Sequence, residues 1–162
     1  MQNIILIFIH LGAAAIALGT LIFGIIVLRP AIKKKHDGGT PNENSVELTL
    51  MDFLAPTVLA CVFVLIVTGV YYLLVNYTDQ VNLKEGYYNI FGMKMIFVVA
   101  TLGLTIYQTF VLRSRISDLD LRPENKKIIP ATLSGMLNVG YISLWTLVTA
   151  IFFGVYLARY SS

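Results

Sequence analysis

Four long apolar blocks, 4–28, 53–75, 91–112 and 129–157, make up most of this 162-residue chain. Each holds enough residues to cross a hydrocarbon layer about 30 Å thick at about 1.5 Å of helix rise per residue. In lipid an unpaired backbone amide has no solvent to bond, so blocks of this length are expected as helices. Composition agrees: 57% of residues are apolar and 13% charged, with a mean hydropathy of +0.76. A water-soluble domain carries roughly a quarter of its residues as charges. The expected fold is all-α, an integral membrane four-helix bundle forming one domain over 1–162, with the lipid bilayer as its surroundings. Met1-Gln2-Asn3 carries no Lys or Arg, and the first block exceeds the apolar core of a signal peptide. It is expected to persist as the first helix.

Charge sets the expected orientation. Arg29, Lys33, Lys34 and Lys35 lie in the first loop, and Arg113, Arg115, Arg122, Lys126 and Lys127 in the third. The second loop has only Lys84, and the C-terminal tail only Arg159. Basic residues concentrate on cytoplasmic loops, which puts loops one and three inside and both termini on the outer side, in a prokaryotic cell membrane. Tyr71, Tyr72, Tyr77, Tyr87, Tyr88, Tyr156 and Tyr160 gather at the opposite ends of the spans, where an interfacial belt is expected. Since the basic residues serve topology, the net charge of +3 gives no ground for nucleic-acid binding. The single cysteine, Cys61, excludes an intrachain disulfide. The loop KKKHDGGTPNENS (33–45) has the composition of a flexible connection, and a short surface helix is expected from Ser117. Spans one and three both end in Val-Leu-Arg (27–29 and 111–113), an echo that duplication and chance explain equally.

Polar residues inside spans are costly unless they face protein, cofactor or water. His10 is the titratable group of span one, and its helical face runs through Ala13, Ala14, Ala17, Leu21 and Gly24. Such a face either admits a neighbouring helix closely or leaves room for a flat porphyrin whose iron His10 ligates. Lys94 on span three heads a stripe of Thr101, Thr105 and Gln108. Its amine either snorkels to the headgroups or, held neutral, serves as a metal ligand or proton carrier. On span four Ser134, Asn138, Tyr141, Trp145 and Thr149 share a face. Asn138, Tyr141 and Trp145 are expected to meet Thr101, Thr105 and Gln108 in a polar interior. Asp52 is expected to pair with an arginine or cap the second helix. Met93 and Met95 flank Lys94, but residues two apart in a helix point away from each other, so they suit packing better than copper ligation. There is no CxxC, HExxH, nucleotide loop or Ser/His/Asp set, and no catalytic residue is assigned.

These residues carry a resemblance. Span one, with His10, Gly19, Phe23 and Pro30, resembles the first helix of the copper-resistance D (CopD-like) membrane superfamily. Pro56 and Thr68-Gly69-Val70-Tyr71 are similar to its second helix, and Gly92-Met93-Lys94 to the start of its third. The related HemJ-type protoporphyrinogen oxidases share a helix-one His and a helix-three Lys, thought to hold a b-type heme. The resemblance therefore implies heme b between His10 and Lys94. Asn138 is kept from their Asn-x-x-Pro sequence, but Tyr141 replaces the Pro. Ile16 or Ala17 stands for their helix-one Trp, and Gln108 falls near their Tyr-His. The departures weigh against the oxidase activity more than against the fold.

Three functions follow as expectations. One is a heme-binding subunit passing electrons near the outer leaflet, and another a cofactor-free accessory subunit held among other membrane-protein subunits. Porphyrinogen oxidation, with metal-ion transport behind it, comes third. The orientation is open to direct test. Single cysteines at Thr40 and Asn82, in a chain lacking Cys61, should react with an impermeant reagent added outside at 82 and not at 40. The reverse pattern overturns the assignment.

Overall fold

The computed structural model describes residues 2–30, 46–77, 86–117 and 129–160, and all of these except Gly86 are helical. The first helix covers Gln2–Phe23 and continues through a π-helical run, Gly24–Leu28. The second covers Val46–Tyr77. The third runs over Tyr87–Ile106, a π-helical run Tyr107–Leu112 and a last α-helical stretch Arg113–Ser117. The fourth covers Ile129–Tyr160. Ile4–Leu28, Thr49–Val75, Tyr87–Arg115 and Ala131–Leu157 are long and apolar enough to cross a membrane. The chain is an integral membrane protein of all-α, four-helix architecture.

Two boundaries differ from expectation. The second helix starts at Val46 rather than near Phe53, because hydropathy marks only the lipid-immersed part of a helix that reaches further. Pro56 is therefore an interior residue of this helix. It leaves the Asp52 carbonyl without its helical donor, and the helix carries on through it. The Asp52 carboxylate is held by Arg113, through Nε to Oδ1 and through Nη2 to Oδ2 at 3.3 Å. Ser117 ends the third helix; the surface helix expected from it falls on 118–128, outside the described residues.

The first helix packs chiefly on the second and the third on the fourth, giving two hairpins. The first helix also borders the fourth, and the second borders the third, so helices one and three stand diagonally across the bundle. One end carries the start of the first helix and the end of the fourth. Arg29 and Arg113 lie at the other, the arginine end.

The hairpins repeat one another. Shifting the first helix by the Leu28-to-Leu112 spacing superposes Leu18-Gly19 on Leu102-Gly103, Ile22 on Ile106 and Val27-Leu28-Arg29 on Val111-Leu112-Arg113. A shift of one residue more carries the second helix onto the fourth. It matches Met51 with Met136, Leu59 with Leu144, Ile66 with Ile151, and Gly69-Val70-Tyr71 with Gly154-Val155-Tyr156. Structure follows the same register. Each π-helical run ends at the leucine of its Val-Leu-Arg, and the buried Ala17, Leu21 and Leu28 correspond to the buried Thr101, Thr105 and Leu112. Val58 and Val62 correspond likewise to Ser143 and Leu147. The Val-Leu-Arg echo is one part of this longer repeat, and the contacts between helices have the pattern of a pseudo-two-fold axis along the bundle.

Packing between the hairpins combines large aliphatic side chains with small ones. At the arginine end Leu28, Met51, Leu112, Leu133 and Met136 form one cluster. Further along, Ala17 packs with Leu21, Val58, Val62 and Leu147 and has 0% exposure. Thr101, Thr105 and Gln108 are buried. Thr101 donates to Thr146 on the fourth helix at 2.8 Å, and Thr146 to the Ser143 carbonyl at 3.0 Å. Gln108 Nε2 reaches the Met136 carbonyl at 3.4 Å and corresponds in the repeat to Gly24. A small cavity of about 30 Å³ remains beside it, lined by Thr20, Gly24, Met51, Met136 and Gly140 among others, room for about one water.

The polar face expected inside on the fourth helix is a correction. Asn138 is exposed, and Tyr141 and Trp145 are 44% and 58% exposed. The buried face is instead Met136, Gly140, Ser143, Leu147 and Ala150. Gly140, Ser143 and Ala150 let helix backbones approach, and Met136 and Leu147 fill the space beside them. Tyr87 also departs from the tyrosine belt: it is buried against Phe91, while Tyr71, Tyr88 and Tyr156 are exposed.

Overpacking at the centre should be costly. Ala17→Leu is expected to lower stability by about 1–3 kcal/mol, read by reversible unfolding in mixed micelles, while Ala15→Leu on the exposed face changes it by less than about 0.5 kcal/mol.

Candidate functional site

His10 lies two and a half turns into the first helix at the terminal end of the bundle, half-buried against the second helix. Its Nδ1 is 2.7 Å from Thr68 Oγ1. The Thr68 hydroxyl is itself 2.6 Å from the Val64 carbonyl and 3.3 Å from that of Leu65. A hydroxyl has one hydrogen, and here it is committed to its own helix. Thr68 Oγ1 therefore accepts from His10, which assigns the proton to Nδ1. A neutral His10 then keeps its lone pair on Nε2, the nitrogen left over for a ligand or a proton.

The ring rests over a glycine: a Cβ built on Gly69 would meet His10 Cε1 at 3.6 Å. Lys94 repeats this arrangement in the other hairpin, where a Cβ on Gly154 would meet Nζ at 3.5 Å and Cε at 3.6 Å. His10 and Lys94 are equivalent in the internal repeat, as are Gly69 and Gly154. Both bases lie the same number of residues from Leu28 and Leu112, which share one cluster, so they stand at one level across the diagonal.

A heme between His10 and Lys94 requires His10 to turn towards the third span, and this is corrected: it bonds to the second. The third helix is diagonal to the first, and only the second and fourth are its neighbours. Ala13 and Ala17 are buried and Ala14 half-buried, but this face is filled. Ala17 has 0% exposure and lies in one cluster with Val58 and Val62 of the second helix and Leu147 of the fourth. In the opposite hairpin Phe97 and Phe153, at the positions of Ala13 and Thr68, stack with centroids 5.8 Å apart. Met93 is exposed while Met95 is half-buried, so the two thioethers are not presented together. Among the described residues His, Cys, Asp and Glu form no cluster of three.

In the sequence Thr68 and Gly69 carry only the resemblance of the second helix, and Gly154 carries no role. The signal for all three was the recurrence of Gly-Val-Tyr at 69–71 and 154–156. Removing the hydroxyl should release the tautomer. In Thr68→Val, imidazole ¹⁵N spectra of His10 are expected to shift from a dominant Nδ1–H form to a mixture, with the helices intact by circular dichroism. An unchanged tautomer refutes the assignment.

Set against protein-family models, characterised proteins and solved structures, the chain matches none significantly.

Proposed function

We infer that this chain is an accessory subunit of a membrane-protein assembly, holding no cofactor of its own. The observation that carries the reading is the filling of the small-residue face: Ala17 is fully buried against Val58, Val62 and Leu147. The residues that offered space for a porphyrin spend that space on helix contact. Support comes from the fourth helix, which turns Asn138, Tyr141 and Trp145 outwards within its span. Lipid offers an amide or indole N–H no partner, whereas another protein does.

Heme b remains the second reading, on a specific observation. His10 presents Nε2 and Lys94 stands at its level, a donor pair whose chemistry fits an iron centre. The volume along Ala13 and Ala17 does not fit the macrocycle, so no electron-transfer or oxidase step is derived through it. In this reading of the family likeness, the chain is a CopD-like relative that keeps His10 and Lys94 and has packed the space between them.

Two measurements separate these readings. Purified from cells supplied with heme, the protein should show no Soret band and no dithionite-reduced b-type band. A band that His10→Ala abolishes would replace the first reading with the second. On native gels after mild solubilisation, the chain should migrate in a species larger than its own monomer, and a monomer throughout refutes the accessory role.

A further inference from the structure

We propose that the outward face of the fourth helix, centred on Asn138, docks a second copy of this chain about a two-fold axis normal to the membrane. The inference rests on the accessory-subunit reading and names its partner. The internal repeat supplies the comparison that makes this face stand out. The positions equivalent to Asn138, Tyr141 and Trp145 on the second helix are Phe53, Pro56 and Ala60. Phe53 is 72% exposed and Ala60 also faces out, an ordinary apolar surface for lipid. Two faces in equivalent places have thus taken different characters: Thr49 repeats Ser134, but only the fourth helix carries an amide, a phenol and an indole there.

Depth makes the difference costly. The fourth span runs Ala131–Leu157, which puts Asn138 about 9 Å from its midpoint at about 1.5 Å per residue, inside a hydrocarbon layer about 30 Å thick. Among the described residues the Asn138 side chain makes no hydrogen bond, and Tyr141 and Trp145 pack edge-to-face on each other, 6.4 Å between centroids. An amide at that depth requires a donor and an acceptor at that depth.

A second copy supplies both. An axis relating two copies inserted the same way must lie along the membrane normal, so each residue meets its own counterpart at its own level. An amide is self-complementary: the oxygen of one Asn138 accepts from the nitrogen of the other, and the reverse. Ala131 and Ser134, small and exposed on the same face, let the two fourth helices approach at the arginine end. Small residues for approach and one polar residue for adhesion are what membrane helix contacts use.

The test uses the full chain with Cys61→Ser, reconstituted in phosphatidylcholine vesicles. Single cysteines are placed at Ser134 or Tyr141, with Ala60→Cys as the control face. Oxidation should give disulfide-linked dimers from the fourth-helix positions and few from position 60. Asn138→Leu should weaken self-association about 3-fold to 30-fold, measured by energy transfer between labelled copies on dilution in lipid, while Asn138→Gln retains it. Equal crosslinking on both faces, or no effect of Asn138→Leu, overturns the proposal. A native species larger than the monomer without fourth-helix self-crosslinks also overturns it, and leaves the accessory role standing with a different partner. A monomer by every measure removes both.

Discussion

In lipid, an apolar helix gains little by burying its surface against another apolar helix, since the tails it leaves are equally apolar. What holds this bundle is therefore the closeness of fit that small side chains permit. Ala13, Ala17 and Ala55 supply it in the first hairpin, and Gly140, Ser143 and Ala150 in the second. Nearly everything else follows from that requirement: which face of each helix turns inward, why large aliphatic and aromatic side chains such as Ile4, Phe8, Phe63 and Phe152 cover the outside, and why His10 can lie directly against a neighbouring backbone. Of the polar residues in the interior, Thr101 and Gln108 bond across to the fourth helix. Thr105 is held within its own helix, to the carbonyls of Thr101 and Leu102 at 3.0 Å each.

The spans were legible because length and hydropathy are direct consequences of the solvent. The inward turn of Thr101, Thr105 and Gln108 was legible for a related reason, since no other face of the third helix is polar along its length. The fourth helix misled because two criteria conflict there. Its polar stripe and its small-residue stripe lie on different faces, and the fit of helices outweighed the desolvation of Asn138 and Trp145. His10 was expected to look towards Lys94 because the resemblance implies one heme between them and both lie near the same end. Which helices are neighbours is not written in the hydropathy of any one of them, and the contact with Thr68 depends on that arrangement.

The repeat explains how the two halves come to differ in chemistry while agreeing in shape. His10 and Lys94 occupy one slot twice, each above its glycine, and one slot has gained an imidazole anchored through Nδ1 where the other has a primary amine. Gly24 and Gln108 are another such pair, with the amide of one half occupying ground that the other half leaves open beside Gly140. The halves have thus specialised by exchanging bulk across the axis: where one side withdrew, the other advanced.

The ion pair between Asp52 and Arg113 has a meaning within this symmetry that neither residue has alone. Arg29 repeats Arg113, but Leu137 stands where Asp52 would recur. Two like hairpins share enough surface to be mistaken for one another while the chain is being inserted. A second hairpin set against another second hairpin would bring Arg113 opposite Leu137, with no counterpart of Asp52. Only the unlike pairing offers Arg113 its carboxylate. The pair is part-exposed and adds little to stability, so the preference it gives the unlike pairing is equally small: it biases which half sits beside which without fixing it.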